Sequence, residues 1–355
     1  MKTHGTQISE RKFHNSKAGD QMKFFHFKES FELESGEILP EFALAYHTFG
    51  HLNTKKDNVV WVIHALTGSS NPIEWWPGVV GDDCVIDPQK HFIICANCLG
   101  SPYGSTCALS KDPRTGEPYY HNFPLITIRD IVNSFELLRI YLDIQKVKLL
   151  TGASLGGQQC LEWSVISPEI FENQLLIATN AKHSPWGIAF NESQRLAIVA
   201  DQTWNNKESN AGEAGLLAAR SIALLSYRSY KGYNKTQVDD DDKLDGFRAQ
   251  SYQRYQGEKL IKRFNAFSYW TLSKAMDSHN IGRNRGGIES ALSSIQTKTT
   301  ILGIATDILF PIEEQEILYR YIPNARLDVI HSDLGHDGFL TESSKVTQVI
   351  KGVMG

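Results

Sequence analysis

No run of apolar residues approaches the ~20 that a membrane-crossing helix needs, so a helical membrane protein is excluded. Residues 1–24 mix Lys, His, Asn and Ser without the apolar stretch and cleavage site of a secretion signal, so they are expected to form a polar, disordered leader to a cytoplasmic protein. Basic excess is also missing. The formal charge is −4 and no Lys/Arg stripe appears, which removes the electrostatic footprint that nucleic acid demands. The five cysteines, Cys84, Cys95, Cys98, Cys107 and Cys160, are an odd number and cannot make a complete disulfide framework. Cys95-x-x-Cys98 has no second pair downstream, so these thiols are expected to be buried and inert rather than metal ligands. The glycine-rich stretch 97–106 lacks Gly-Lys-Ser/Thr and a following helix start, which argues against a phosphate-binding loop. No internal repeat is present. What remains is a chain of 355 residues with 41% apolar composition, enough to bury one large core with an insertion.

The most informative stretch is Val147-Lys148-Leu149-Leu150-Thr151-Gly152-Ala153-Ser154-Leu155-Gly156-Gly157. A short apolar run meets Gly-x-Ser-x-Gly, and Cys160, Trp163 and Ile166 then recur at helical spacing. Strand, tight turn and helix in this order make the nucleophile elbow of the α/β-hydrolase fold. The glycines let strand and helix approach closely, and Ser154 sits at a helix N-terminus, where free N–H groups favour the negative charge of an acyl-transfer intermediate. The elbow makes the Leu155 N–H one oxyanion donor. A second is expected in the loop 65–69 after the buried run 58–64: the Leu66 N–H, with Thr67 as the near alternative. His64 is expected to orient that loop by a hydrogen bond. Trp75-Trp76 is expected to pack at a pocket mouth or under a loop.

Alternating segments at 25–27, 31–33 and 42–49 suggest an antiparallel start to a sheet, and continuous apolar runs at 92–96, 174–179, 299–305 and 326–330 suggest buried strands. Apolar residues three and four apart over 127–142 predict an amphipathic helix. From Asn180 to about Ser294 the pattern is helical, with segments at 191–202, 212–227, 248–264 and 267–276. The fold class is therefore α/β, a mostly parallel sheet flanked by helices, with a core domain of 25–180 and 299–355 interrupted by a helical lid at 181–298. The acidic run 239–242 inside the insertion is expected to be a solvated loop.

Asp307 follows the strand 301–305 and His336 lies just past the strand 327–330. The chain order Ser154, Asp307, His336 is the order this fold uses, and the three have complementary chemistry: nucleophile, orienting carboxylate and general base. Motif chemistry leaves the acyl acceptor open between water and a hydroxyl compound.

The chain resembles the homoserine O-acetyltransferase family. The resemblance rests on His64-Ala65-Leu66-Thr67-Gly68, Leu99-Gly100 and Tyr103-Gly104-Ser105-Thr106, Asp112-Pro113 with Thr115-Gly116, Phe123-Pro124 with Thr127-Ile128-Arg129-Asp130, the elbow with Leu161-Glu162-Trp163, Tyr227-Arg228-Ser229, Tyr255-Gln256-Gly257-Glu258-Lys259, Ala275-Met276-Asp277-Ser278-His279 and Gly335-His336-Asp337. It departs from the family at Leu155 and Gln158, where Met is usual, and at Cys107-Ala108, where Gly-Pro is usual. What the resemblance implies is ping-pong transfer of an acetyl group from acetyl-CoA to L-homoserine through an acyl-Ser154, in methionine biosynthesis, with no resident cofactor or metal. It also implies that Arg220, Tyr227 and Asp337 hold the amino acid, and that the lid mediates a homodimer. A succinyl donor, a serine acceptor and plain ester hydrolysis are the competing outcomes.

Overall fold

The computed structural model describes residues 21–355; most of the expected leader lies outside them. Among the described residues there are ten strands: β1 (Lys23–Phe27), β2 (Phe31–Glu32), β3 (Ile38–Leu39), β4 (Phe42–Phe49), β5 (Val59–Ile63), β6 (Phe92–Ala96), β7 (Val147–Ala153), β8 (Phe171–Ile177), β9 (Lys298–Ile304) and β10 (Arg326–Ile330). Eight of them form one sheet in the order β1-β4-β6-β5-β7-β8-β9-β10, while β2 and β3 pair separately. β4 is antiparallel to both β1 and β6; every pair from β6 to β10 is parallel. The sheet begins two residues before the expected first strand at 25, because Lys23 pairs with Tyr46 and Phe24 with Ala45.

Burial on both faces explains why the parallel strands are apolar without a break. In β5, Val59, Trp61 and Ile63 point to a core layer that contains Phe135 and Trp163, whereas Val60 and Val62 point to one that contains Trp76, Val346 and Ile350. The two-residue period of a strand divides the sequence between the layers. Trp76 is fully buried there and its Nε1 donates to Phe339 O at 2.9 Å, so it anchors the C-terminal part of the chain.

The helix Ile128–Tyr141 starts where Thr127 caps the Asp130 N–H and Asp130 answers with its own side chain, a reciprocal capping box. Asp130 also accepts the Glu34 N–H at 2.7 Å, which fixes the β2–β3 region to this helix. Between β8 and β9 lie six helices: Pro185–Val199, Glu213–Tyr227, Tyr230–Thr236, Arg248–Ile261, Ala266–Asp277 and Ile288–Ser293. The first begins six residues before the expected 191. Ser184 accepts the Gly187 N–H and Pro185 occupies the first turn, an N-terminal signal that periodicity alone passes over. The segment is tied to the sheet's central helix by a partly buried ion network centred on the buried Glu162. Glu162 pairs with Arg129 at 2.7 Å and with Arg285 at 2.6 Å, and Glu34 pairs with Arg129 and with Arg283, each at 2.7 Å. Among the described residues no helix is long and apolar enough to cross a membrane.

Candidate active site

Because β5 to β10 run parallel, their carboxyl ends share one edge, and every candidate residue of the core lies there. Ser154 stands between β7 and the helix Leu155–Ile166 with φ 57° and ψ −124°, a strained conformation for a residue with a Cβ. It is held by its surroundings: its N–H donates to Ile177 O at 2.9 Å, and its carbonyl accepts from Gln158 N at 3.1 Å and Thr179 Oγ1 at 3.0 Å. The flanking glycines are needed for space. A Cβ on Gly152 would lie 2.6 Å from the Gly156 carbonyl, one on Gly156 2.5 Å from Ile63 O, and one on Gly157 2.6 Å from Thr179 Cβ. The start of the helix is thereby pressed against the end of β5, which brings the Leu155 and Leu66 segments together.

Leu66 and Leu155 are both buried. The loop that carries Leu66 is clamped from several directions. His64 Nε2 accepts the Cys98 N–H at 3.1 Å, so the proton resides on Nδ1, which donates to Ala65 O at 2.8 Å. Burial pushes the His64 pKa down to about 4, against the modest upward pull of the Ala65 carbonyl, and the ring is neutral. It cannot serve as a proton shuttle in this state. Ser70 N–H donates to Asn97 Oδ1 at 2.7 Å, and Thr67 O accepts from Arg263 Nη1 at 2.6 Å. The glycine-rich stretch is ordered by the same kind of bonds: Gly100 N–H donates to Thr106 O, and Ser105 Oγ to Asn97 O, each at 2.8 Å.

Asp307 and His336 meet directly. Asp307 Oδ2 lies 2.6 Å from His336 Nδ1, while Oδ1 accepts the Leu309 and Phe310 N–H groups at 2.8 and 2.9 Å. A carboxylate can only accept, so Nδ1 carries the imidazole proton and Nε2 is left bare. Burial among Phe310, Phe339 and Tyr227, with ring centroids at 5.2, 5.5 and 5.8 Å, would lower the His336 pKa; the Asp307 charge and hydrogen bond outweigh it, and the net shift is upward. No hydrogen bond joins Ser154 to His336 among the described residues, and such nucleophile–base bonds commonly tighten only when substrate enters. The turn Gly335–Asp337 also leans on the helical segment: a Cβ on Gly335 would lie 2.9 Å from the Arg228 carbonyl carbon.

The three residues singled out for amino-acid binding gather beside His336. Arg220 lies over the Tyr227 ring at 5.3 Å, and Asp337 follows His336 in sequence. Sequence reasoning missed Arg228, whose Nε is 3.2 Å from Asp337 Oδ2. Arg228 belongs to the Tyr227-Arg228-Ser229 motif, so its presence was visible, but its partner lies more than 100 residues away. Arg263 and Tyr103 were also missed; their contact, Nη1 to the phenolic oxygen at 2.5 Å, links the helical segment to the glycine-rich loop. All five cysteines are free, and Cys84 alone is only partly buried. Burial pushes the Cys98 thiol up to about 12. Asp239 of the acidic run pairs with Lys243 at 2.6 Å and accepts the Arg248 N–H at 2.7 Å.

A family model of the alpha/beta hydrolase fold matches residues 58–343. The homoserine O-acetyltransferase of Cyclobacterium marinum is 50% identical over 329 residues, covering 93% of this chain and 94% of the relative. That of Chlorobium luteolum is 41% identical over 332 residues, 93% of each chain. Among solved structures, homoserine O-acetyltransferase from Bacillus anthracis superposes with a TM-score of 0.86 at 21% identity, over 94% of this chain and 97% of that one. Esterase E22 superposes with a TM-score of 0.84 at 23% identity, over 94% and 100%. At such identities the two structures speak for the fold alone.

Proposed function

Because the chain belongs to the homoserine O-acetyltransferase family, we propose that it transfers an acetyl group from acetyl-CoA to the side-chain hydroxyl of L-homoserine, a step of methionine biosynthesis. Ser154 Oγ attacks the thioester carbonyl while His336 Nε2 takes its proton. The Leu66 and Leu155 N–H groups stabilise the tetrahedral oxyanion, and the C–S bond breaks as the imidazolium returns the proton to the leaving thiolate. The homoserine hydroxyl then gives its proton to His336 and attacks the acetyl-Ser154 ester. Collapse of the second tetrahedral intermediate protonates Ser154 and releases O-acetylhomoserine. Arg220 suits the amino-acid carboxylate, Asp337 suits the ammonium and Tyr227 shapes the pocket between them.

The observation that carries the reading is the buried 2.6 Å contact between Asp307 and His336 at the strand-end edge that also holds the Ser154 elbow. It supports an imidazole base for acyl transfer. The helical insertion contacts this edge through Arg263 and Arg228, which fits a lid that keeps water from the acyl-enzyme. Exposed Leu225, Tyr230, Leu244 and Tyr255 on that insertion support a homodimer through the lid. A cytoplasmic location fits a biosynthetic enzyme with free thiols.

The test is thiol release from acetyl-CoA and from succinyl-CoA, each with homoserine, serine or no acceptor. Homoserine-dependent release from acetyl-CoA is expected, together with an acetyl adduct on Ser154 by mass spectrometry when acceptor is omitted. Release that is equally fast without acceptor would assign a hydrolase. Ser154→Ala should fold normally and release no thiol; retained turnover would sink the mechanism.

A further inference from the structure

Beside the clamped oxyanion loop lies a cavity of about 500 Å³, within the size range of small-molecule sites, whose walls include Tyr103, Ser209, Glu213, Lys262, Arg263 and Asn265. Its position ties it to the reaction: Arg263, in the wall, donates through Nη1 to the carbonyl of Thr67, the residue that follows Leu66. Lys262 has no ion-pair partner among the described residues, and the side-chain hydrogen bonds of Arg263 both leave from Nη1, so one side of its guanidinium fork is uncommitted. Two cations therefore face the cavity against the single carboxylate of Glu213. The helices Glu213–Tyr227 and Ala266–Asp277 both begin at its wall, which adds to the positive potential. The half-buried Tyr103 ring, set edge-to-face on Phe264 at 5.7 Å, offers a flat surface. A second cavity of about 480 Å³ carries Lys231, Lys235 and Lys345; Lys235 is 3.8 Å from Asp333 and Lys345 is 3.0 Å from Glu342, which leaves Lys231 uncompensated among the described residues, but none of its wall residues is hydrogen-bonded to the loop that carries Leu66, as Arg263 is.

We propose that the first cavity receives the nucleotide end of the acyl-CoA donor, with the diphosphate and 3′-phosphate against Lys262 and Arg263 and the purine on Tyr103. The inference rests on the reading that acyl-CoA is the donor. A coenzyme A thioester carries its anionic charge far from the reacting carbonyl. Binding energy collected at Lys262 and Arg263 positions the thioester beneath the Leu66 loop without crowding the acceptor side near Asp337. Donor nucleotide and acceptor are thus held by different residues, Lys262 and Arg263 for the one and Arg220 and Asp337 for the other.

The experiment compares acetyl-CoA with S-acetylpantetheine, which lacks the nucleotide, as donors to homoserine, using the whole chain. Lys262 is exposed and makes no internal contact that folding needs, so Lys262→Glu is the first variant. It should lower the ratio of kcat/KM for acetyl-CoA to that for S-acetylpantetheine by about tenfold, the loss a reversed charge facing phosphates produces. Glu213→Gln should move the ratio in the opposite direction. Adenosine 3′,5′-bisphosphate should compete with acetyl-CoA in the wild type and less well in Lys262→Glu, and added salt should shrink the difference between the two. A ratio unchanged in both variants, or an equal loss with both donors, overturns the cavity assignment and leaves the transferase reading standing. Failure of the wild type to acetylate Ser154 from either donor overturns both.

Discussion

Replacing Asp307 by Asn separates the orienting and electrostatic roles of this carboxylate. Oδ1 holds the Leu309 and Phe310 N–H groups and an amide oxygen can do the same, so the backbone turn should survive. The Oδ2 position facing His336 Nδ1 at 2.6 Å would then be an NH2 group, which donates. His336 must turn its lone pair to Nδ1 and carry its proton on Nε2, the tautomer that cannot accept from Ser154. The same exchange in a Ser-His-Asp site elsewhere costs about 10⁴ in kcat, equivalent to about 5 kcal/mol of transition-state stabilisation. A second consequence has a definite sign. The His336 pKa stands above its ordinary value because Asp307 outweighs burial; without the charge, burial prevails and the pKa falls. Since the neutral imidazole is the base, the rising limb of the pH profile of kcat for acetyl transfer should have its midpoint above pH ~6.5 in the wild type. In Asp307→Asn it should move to lower pH while the plateau drops by three to four orders of magnitude, roughly as in the precedent. The assay is thiol release across pH 5–9. A variant that keeps more than about a tenth of the activity, or whose limb stays in place, would refute the assignment of Asp307 as the charge that governs His336.

Further outcomes follow from other parts of the structure. Asp337→Asn and Arg220→Ala should each raise KM for homoserine by about tenfold or more while Ser154 still acetylates in the absence of acceptor; an unchanged KM would remove these residues from the acceptor site. Gly156→Ala places a Cβ 2.5 Å from Ile63 O, so urea unfolding should report a loss of about 1–3 kcal/mol together with reduced transfer, and a neutral result would contradict the close approach. Burial pushes His64 and His279 down to about 4 and His183 to about 3, so the folded chain binds fewer protons than the unfolded one below pH ~6.5. Their stabilisation is complete above that pH and is lost as pH falls toward 4, by about 2 kcal/mol for each at pH 5. Urea melts at pH 7 and pH 5 should differ accordingly, and equal stability at the two would mean that these rings are not buried in neutral form.

The strands and the elbow were legible in the sequence because each depends on residues close together in the chain, and Asp307 and His336 could be nominated because each closely follows an apolar strand-like run. An unbroken apolar run such as Val59–Ile63 can only be buried on both faces, and glycines two before and two after a serine leave one way for a strand to meet a helix. Short-range signals also went unread where they were weak in periodicity, as at Ser184-Pro185. The tertiary structure alone decided which distant groups meet. The strand order β4-β6-β5-β7 sets which loops share the edge, and no local pattern encodes it. Arg263 reaches Thr67 across 196 positions, His64 takes the Cys98 N–H, and Arg228 finds Asp337 only because the turn at Gly335 packs on the helical segment. Each of these contacts joins a side chain to a partner that folding brings near, and whether two polar groups come within 2.6–3.2 Å is settled by the packing of whole elements rather than by the residues beside them.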